Sequence, residues 1–244
     1  MKEWITGRNP VYECLRANRR HFFRILFNRN SKVAGRLEEI YHLATDRKLA
    51  IEAAEIKDLE TISDRHQGVA LQVGKYSYCE LDSIVRKAKK KDEPLFVLLL
   101  DQIQDVQNMG ALIRTAEVFG VHGIILPSSR SADVTPAVVN ASSGASEHAL
   151  IARMNINQAL DVLKDLDVWS MGLDMDESGQ SLERINLSGN LAIVVGSEGS
   201  GLRRLVREKC DHVAYIPMAG NISSLNAAIA GSIALYKAFI SRKT

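Results

Sequence analysis

Apolar positions follow two different patterns along the chain. In residues 1–75, short apolar runs alternate with segments in which apolar residues recur every three or four positions. From residue 95 onward, longer continuous apolar runs alternate with such segments as far as residue 240. Continuous apolar strands that alternate with helices are typical of a parallel sheet covered on both faces. The pattern therefore predicts an α/β fold, with a small first domain followed by a larger domain built on a largely parallel sheet.

The predicted elements are compact in the first domain and more regularly repeated in the second. A helix is predicted to start at Asn9-Pro10, because a capping residue is followed there by proline. The first domain then contains predicted strands at 25–27, 50–53 and 69–73 and helices at 32–44 and 56–63. The second contains predicted strands at 95–100, 123–126, near 149, 168–173, 191–195 and 214–216, and helices from 109 and at 135–142, 158–166, 202–208 and 226–240.

The boundary between the two domains is predicted from a change in composition. Residues 87–93 form a charge run that closes a weak helical segment, and Pro94 follows it. Charge runs and proline both interrupt the periodic patterns of folded elements. We therefore predict a first domain at 1–75, a linker at 76–93 and a second domain at 94–244.

Charge is distributed unevenly between these parts. The net charge of the chain is +2, but residues 1–92 carry +6 and residues 93–244 carry −4. Residues 1–36 alone contain nine basic and two acidic residues. A basic excess of this kind is where a polyanion such as RNA would bind, although a solvated basic face gives the same composition.

Composition argues against several classes of protein. Apolar residues make up 46% of the chain and charged residues 25%, as in ordinary globular proteins. No apolar run approaches the roughly 18 residues of a membrane span, and the charged start is unlike a secretory signal. A cytoplasmic location is therefore expected. The three cysteines and six histidines follow no disulfide or metal-ligand spacing, so no metal is expected.

Three segments that follow predicted strands carry the candidate chemistry. Ligands of parallel sheets bind beyond the carboxyl ends of the strands, where these segments are expected to lie. The first segment contains Asn108, Gly110 and Arg114. The second reads VVGSEGSGL at 194–202. The third, at 216–226, begins with IPM, ends with SLN and precedes a helix of small residues.

The second segment looks like a phosphate-binding loop but lacks the residues of one. Phosphate loops place lysine and serine or threonine after the last glycine, where they meet phosphate oxygens and magnesium. Here Leu202 and Arg203 follow Gly201, and Glu198 would repel a phosphate. A nucleotide-phosphate binder is therefore disfavoured.

Each polar residue of these segments also has a structural explanation when it is taken alone. Asn108, Ser224 and Asn226 are suitable helix caps. Arg114 is suited to a surface ion pair with Glu117 or Glu198. The three segments carry functional meaning only in combination.

In combination, and in this order, the three segments resemble a known family. The motifs NxGxxxR, GSEGxGL and IPM followed by SLN are similar to those of the SPOUT methyltransferases, and more narrowly of the SpoU/TrmH branch of RNA ribose 2′-O-methyltransferases. The resemblance covers residues 95–244. The short stretches GRNPV at 7–11 and HQGVA at 66–70 resemble the ends of the small L30e-like RNA-binding domain of RlmB-like members.

The resemblance implies a fold, a cofactor and a reaction. It implies that the second domain contains a deep trefoil knot, binds S-adenosylmethionine and forms a homodimer, and that RNA is the partner. The implied reaction is 2′-O-methylation of a ribose, which in RlmB-like members belongs to a guanosine of large-subunit rRNA. It needs no metal.

The resemblance also assigns site residues. The cofactor-binding positions are Leu173, Gly196, Ile216 and Leu225. The catalytic positions are Asn108, Arg114, Glu198, Ser224 and Asn226. Arg114 is either the base that accepts the hydroxyl proton or a clamp for a phosphate near the target ribose, and both interpretations stay open because arginine normally remains protonated.

Three further readings stay open at this stage. The catalytic motifs describe the chemistry and not the RNA, so the substrate is alternatively tRNA or the rRNA of a resistance-type enzyme. From another class, the chain is alternatively an RNA-binding protein without catalytic activity.

Overall fold

The computed structural model describes residues 2–129, 131–176, 179–199, 201–222 and 224–243. These residues form two compact units. The smaller unit comprises residues 2–77 together with Asp133–His148, and the larger unit comprises residues 78–132 and 149–243. This division differs from the predicted one, because residues 133–148 belong to the smaller unit and most of the predicted linker belongs to the larger unit. Within the described ranges, no helix is long and apolar enough to cross a membrane.

Strands and helices alternate along most of the chain. The first elements are β1 (Lys2–Thr6), α1 (Arg8–Ala17), β2 (Phe22–Asn28), α2 (Arg36–Asp46), β3 (Ala50–Ala54), α3 (Ile56–Glu60), β4 (Val69–Gly74) and α4 (Leu81–Lys91). Then follow β5 (Phe96–Asp101), α5 (Val106–Val118), β6 (Gly123–Leu126), α6 (Pro136–Ala141), α7 (Ala145–His148), β7 (Ile151–Arg153) and α8 (Ile156–Asp165). The last are β8 (Trp169–Leu173), β9 (Gln180–Ser181), a 3-10 turn (Leu182–Arg184), β10 (Leu191–Gly196), α9 (Arg204–Lys209), β11 (His212–Tyr215) and α10 (Ala227–Ser241).

The smaller unit is built on a four-stranded sheet with the order β1-β4-β2-β3. Strand β4 is antiparallel to β1 and β2, whereas β2 and β3 are parallel. Strand β1 was not predicted, because only Trp4 and Ile5 give it apolar character. Helix α1 begins at Arg8, and its N-cap is Gly7 with φ +87° rather than the predicted Asn9.

A buried ion pair holds α7 in the smaller unit. Nη2 of Arg20 lies 2.8 Å from Oε1 of Glu147, and both side chains are 1% exposed. Nη1 of Arg20 also lies 2.9 Å from Oε2 of Glu3. A contact between residues so distant in the sequence leaves no local pattern, so the sequence could not assign 133–148 to this unit.

The larger unit contains a seven-stranded sheet with the order β7-β6-β5-β10-β8-β11-β9. All of its strand pairs are parallel, which confirms the predicted α/β architecture. Strand β9 was missed because two residues are too few to show an apolar pattern.

Helix α4 occupies most of the predicted linker. Its Ile84 and Ala88 are buried and pack in the same core cluster as Leu95, Val97 and Leu99. The lysines of the charge run that suggested a linker lie at the end of this helix, where they interact favourably with the helix dipole.

The order of strands brings distant segments together at one edge of the sheet. Strand β10 lies between β5 and β8, with Gly196 opposite Asp101 and Val195 opposite Leu173. The segments that follow these three strands therefore start side by side, at the edge where ligands of parallel sheets bind.

Candidate functional site

Two amides and one carboxylate form a hydrogen-bonded cluster at this edge. Asn108 Nδ2 donates to Glu198 Oε2 at 2.9 Å. Asn226 Nδ2 donates to Asn108 Oδ1 at 2.9 Å and to Glu198 Oε2 at 3.3 Å. The three predicted motifs thus contribute one side chain each to a single cluster.

The start of α5 orients Asn108. Asp105 is the N-cap, and its Oδ1 accepts the backbone N–H of Asn108 at 2.7 Å. Asn108 is therefore not the cap that its sequence position also allowed. Because Asp105 caps the helix, the amide of Asn108 is left to bind Glu198 and Asn226.

The start of α10 orients Asn226 in a different way. Oδ1 of Asn226 caps this helix by accepting the backbone N–H groups of Ala228 at 2.9 Å and Ile229 at 3.3 Å. Its amide group is then directed away from the helix and donates to the cluster. Asn226 therefore both caps α10 and belongs to the polar cluster, two roles that the sequence had presented as alternatives.

A tight turn presents Glu198. The backbones of Ser197 and Gly201 exchange hydrogen bonds of 3.1 and 3.0 Å. The turn folds back so closely that a Cβ on Gly196 would lie 2.3 Å from the backbone of Gly201, which no side chain tolerates. Gly196 is thus required for the turn itself. Ser200 of this motif, and Ser223 of the third, lie outside the described residues.

A cavity opens beside this turn, at the ends of β8, β10 and β11. Its walls combine apolar side chains, backbone and a few polar groups: Leu173, Asp174, Met175, Val195, Gly196, Ser197, Glu198, Gly199, Gly201, Ile216, Met218, Ser224, Leu225, Asn226, Ala227 and Ala230. Among these described residues two are acidic and none is basic. The cavity, which we call the β10 cavity, therefore suits an apolar ligand with a positive charge better than a phosphate.

The predicted site residues fall into three groups. Seven of them line the β10 cavity: Leu173, Gly196, Glu198, Ile216, Ser224, Leu225 and Asn226. Asn108 reaches the cavity wall through its hydrogen bond to Glu198. Arg114 lies further along α5, is exposed and is not among the residues that line this cavity. The roles of all nine residues stay predictions.

Sequence reasoning missed several residues of the cavity. Asp174 and Met175 follow Leu173 at the end of β8, and Met218 lies in the third segment that was already singled out. The rule that ligands bind beyond strand ends could have found Asp174 and Met175. Asp174 also accepts Nε of Arg207 at 3.1 Å, a contact with no local sequence signal.

Helix α10 uses its small residues for internal packing. A Cβ on Gly231 would lie 2.5 Å from Cδ2 of Leu112 on α5 and 3.1 Å from Cγ2 of Val195 on β10. The opposite side of the helix is apolar but exposed, with exposed fractions between 38% and 53% at Ile229, Ile233, Tyr236 and Ile240.

Within the described ranges, no group of three or more His, Cys, Asp or Glu could hold a metal ion.

Known families account for nearly the whole chain. The SpoU rRNA Methylase family matches residues 95–236, and the family described as RNA 2′-O ribose methyltransferase substrate binding matches residues 4–79. The chain belongs to the SpoU rRNA methylase family, a family of RNA methyltransferases that use S-adenosylmethionine.

Curated relatives match over most of their length. The chain is 36% identical to YacO of Bacillus subtilis over 98% of this chain and 96% of that protein, whose name assigns it provisionally to the TrmH family of tRNA/rRNA methyltransferases. It is 40% identical to an uncharacterized tRNA/rRNA methyltransferase of Mycolicibacterium vanbaalenii, over 96% of this chain and 74% of that one.

Solved structures of similar fold include two methyltransferases crystallised with S-adenosylmethionine. AviRb of Streptomyces viridochromogenes superposes with a TM-score of 0.81 at 24% identity, covering 100% of this chain and 91% of its own. An rRNA methyltransferase of Sinorhizobium meliloti superposes with a TM-score of 0.77 at 24% identity, covering 97% and 86%. At this identity the likeness establishes the shared fold.

Proposed function

We propose that this protein transfers a methyl group from S-adenosylmethionine to the 2′-hydroxyl of a ribose in RNA. The observation that carries the proposal is the Asn108–Glu198–Asn226 cluster on the wall of a cavity that has acidic but no basic residues among its described lining. The family assignment supports methyl transfer, and the match of residues 4–79 to a substrate-binding family supports an RNA substrate.

The residues of the β10 cavity fit the cofactor. Leu173, Ile216 and Leu225 offer apolar surface to an adenosine, and the backbone around Gly196 offers hydrogen-bonding groups. Glu198, which accepts hydrogen bonds from neutral amides, gives the cavity a negative potential that favours a sulfonium cation, whereas Asp174 is paired with Arg207. When bound, the cofactor would supply an electrophilic methyl group.

The cluster would position the nucleophile. Asn108 and Asn226 hold Glu198 in place, and Ser224 lines the same cavity, so these polar groups can orient a ribose hydroxyl in line with the methyl group. The hydroxyl loses its proton during transfer, and the chain must direct that proton to an acceptor.

Arg114 has two proposed roles that a conservative substitution separates. As a phosphate clamp, it would hold the RNA beside the target ribose and stabilise negative charge on the oxygen. As a base, it would need to lose a proton that arginine normally keeps. We expect Arg114→Lys to retain part of the turnover with weaker RNA binding if Arg114 is a clamp. Complete loss of turnover with RNA and cofactor binding intact would contradict the clamp.

We propose a guanosine of large-subunit rRNA as the target. The smaller unit supports an rRNA substrate through two stretches that resemble an L30e-like domain. The two stretches that resemble an L30e-like domain are adjacent, since Gly7 N donates to His66 O at 3.3 Å and Arg8 N to Gln67 Oε1 at 2.9 Å. Arg8, at the start of α1, and Arg65, which precedes the second stretch, are both exposed. A tRNA substrate remains the alternative within the family.

We further propose the knotted topology and the homodimer that the family resemblance implies. The neighbouring positions of the 196–201 turn and the 216–226 segment around one cavity support the knot. The exposed stripe of Ile229, Ile233, Tyr236 and Ile240 supports a dimer, because these apolar residues recur at helical spacing and exposed apolar patches often mark protein–protein interfaces. Light scattering tests the dimer, since Ile233→Glu should give monomers. The cytoplasmic location stays a prediction.

Methyl transfer from labelled S-adenosylmethionine to unmodified transcripts tests the function. The purified protein is incubated with large-subunit rRNA and with tRNA, and the labelled nucleotide is mapped. We expect a ribose-methylated guanosine in the rRNA. Glu208→Gln, on the exposed surface of α9, serves as a control that keeps activity. Labelling of tRNA alone would contradict the rRNA target, and a methylated base would contradict ribose methylation. Absence of both transfer and cofactor binding would leave an RNA-binding protein without catalytic activity.

A further inference from the structure

A second cavity adjoins the β10 cavity and shares part of its wall. It has a volume of about 360 Å³ and is lined by Gln102, Ile103, Gln104, Asp105, Asn108, Ser197 and Glu198. Ser197 and Glu198 line both cavities. Pockets for small molecules span roughly 300 to 1,000 Å³, so the second cavity is large enough for a nucleobase. Glu198 therefore stands between a space suited to the cofactor and a space suited to a second reactant.

The backbone at Gln102 is held in an unfavourable conformation on this wall. Its φ is +62°, in the left-handed region that side-chain-bearing residues seldom adopt. The preceding residue, Asp101, is fully buried and is fixed by Arg203, whose Nη2 lies 2.6 Å from Asp101 Oδ1. This ion pair fixes the end of β5 and the turn that presents Gln102 to the cavity. Strain of this kind persists where the surroundings hold it, and it often marks a binding site.

The polar groups of this wall have hydrogen-bonding capacity to spare. Asp105 uses Oδ1 to cap α5, at 2.7 Å from the N–H of Asn108. Within the part of the chain that the structure describes, Oδ2 of Asp105 and the side-chain amides of Gln102 and Gln104 bind no protein group. One carboxylate oxygen and two amides are therefore available to a ligand around a single space.

We propose that this second cavity holds the base of the target nucleotide and selects guanine. The inference rests on the proposed function and adds the residues that choose the nucleotide. Guanine presents two adjacent N–H donors, N1–H and the N2 amino group, beside the O6 acceptor. The free carboxylate oxygen of Asp105 matches the donors, and the amide N–H groups of Gln102 and Gln104 match O6. Adenine would place the lone pair of N1 against the carboxylate. Enzymes that act on a nucleotide read an extruded base through this edge.

Two kinds of change test the proposal: changes in the base of the substrate and substitutions of residues that line the cavity. The substrates are RNA oligonucleotides that span the mapped site and carry guanosine, inosine or adenosine at the target position. Inosine lacks only the N2 amino group. For the wild-type protein, we expect kcat/KM to fall about tenfold with inosine and further with adenosine, because one or two matched hydrogen bonds are lost.

Two substitutions keep the fold while removing the proposed contacts. Asp105→Asn retains a good helix cap but loses the carboxylate. Gln102→Gly removes the amide and accommodates the positive φ. We expect each to lower kcat/KM for the guanosine substrate about tenfold. Asp105→Asn should also reduce the difference between guanosine and inosine to within about twofold. Gln158→Ala, on the exposed side of α8, is the matched control and should change neither value.

The dissociation constant of S-adenosylmethionine, measured by calorimetry, separates this proposal from the proposed function. It should be unchanged in Asp105→Asn and Gln102→Gly. A wild-type enzyme that methylates RNA while both variants keep full discrimination against inosine would overturn the base pocket and leave the function intact. Equal losses of cofactor affinity and kcat/KM would overturn it as well, because the cavity would then belong to the cofactor. A wild-type protein that transfers no methyl group to RNA would remove both proposals.

Discussion

Glu147 in the smaller unit and Glu198 in the larger unit are both held by hydrogen bonds, but their partners differ in charge. Glu147 is 1% exposed and meets the guanidinium of Arg20 through two nitrogens, at 2.8 and 2.9 Å. Among the described residues, Glu198 accepts its side-chain hydrogen bonds from the neutral amides of Asn108 and Asn226. The charge of Glu147 is thus balanced inside the protein, whereas that of Glu198 remains available to a ligand.

The surroundings of the two carboxylates also differ, since Glu147 is buried and Glu198 lines open cavities. Cys14 lies against Glu147, and burial together with the negative charge of Glu147 raises the pKa of the Cys14 thiol well above its ordinary value. Glu198 instead lines two cavities that open to solvent. A buried carboxylate paired with a cation has a structural role here. A carboxylate that neutral donors hold on a cavity wall is suited to act on a ligand.

The largest effect is expected from breaking the Arg20–Glu147 pair. Arg20→Met leaves Glu147 buried without its cation, so the free energy of unfolding should fall by about 3–5 kcal/mol. The double variant Arg20→Met/Glu147→Leu should recover most of this loss, because the fully buried carboxylate is removed and Glu3, which also loses Arg20, is 21% exposed. Chemical denaturation of the wild type and both variants measures these differences.

An exposed ion pair in the same unit provides the control. Arg24 and Glu52 form a pair of similar length, 2.9 Å, but their side chains are 42% and 44% exposed. Arg24→Met should therefore cost less than about 1 kcal/mol. A double variant as unstable as Arg20→Met alone would show that the pair contributes more than the balance of its charges.

The next largest effect is expected at Glu198, in activity and not in stability. Glu198→Gln keeps the size of the side chain but removes the charge from the boundary between the two cavities. We expect kcat to fall by about a hundredfold or more, as for other preorganised electrostatic groups. The midpoint of thermal unfolding should stay within about 2 °C of the wild type, because the neutral side chain still accepts hydrogen bonds. Radiolabelled methyl transfer and calorimetry measure the two quantities.

A drop in stability as large as that of Arg20→Met would contradict this distinction. Glu198 would then be a structural residue like Glu147. Unchanged kcat with weaker cofactor binding would restrict Glu198 to the cofactor.

The fold of the larger unit could be predicted because its signals are local. The apolar runs of β5, β6, β8 and β10 are continuous, and their predicted bounds agree with the structure to within one residue. The assignment of residues 133–148 could not be predicted, because it depends on Glu147 meeting Arg20 from 127 residues away. Helix α4 was predicted as part of a linker because its run of lysines is typical of one. Ile84 and Ala88 nevertheless have the four-residue spacing of a buried helix face.

The candidate site was predicted as a set of residues but not as a geometry. The motifs identified Asn108, Glu198 and Asn226, but only the structure shows that these three side chains share hydrogen bonds. The second cavity could not be predicted from the sequence, because Gln102 and Gln104 belong to no recognisable motif. Only the structure identifies this cavity, through the positive φ of Gln102 and through Glu198, which lines both cavities.

A smaller effect is expected when one donor to Glu198 is removed without loss of the helix cap. Asn226→Ser retains a capping oxygen for α10 but lacks the amide that donates to Glu198 and Asn108. We expect kcat to fall about tenfold, with the free energy of unfolding unchanged within about 0.5 kcal/mol. Asn226→Ala, which loses the cap as well, should cost about a further 1 kcal/mol of stability. Equal stability of the two variants would show that the cap contributes nothing.

The smallest effect, and the one that compares both carboxylates directly, is expected from salt. The β10 cavity is open to solvent, so raising sodium chloride from about 0.05 to 0.5 M should weaken S-adenosylmethionine binding about two- to fourfold by screening Glu198. The Arg20–Glu147 pair is closed to solvent, so the stability difference between wild type and Arg20→Met should change by less than about 0.5 kcal/mol over the same range. Calorimetry and denaturation at both concentrations provide the test. The opposite result would be a cofactor affinity that does not change with salt and a stability difference that does. It would mean that Glu147 is solvated and that the charge of Glu198 is already neutralised, which would reverse the roles inferred for these two residues.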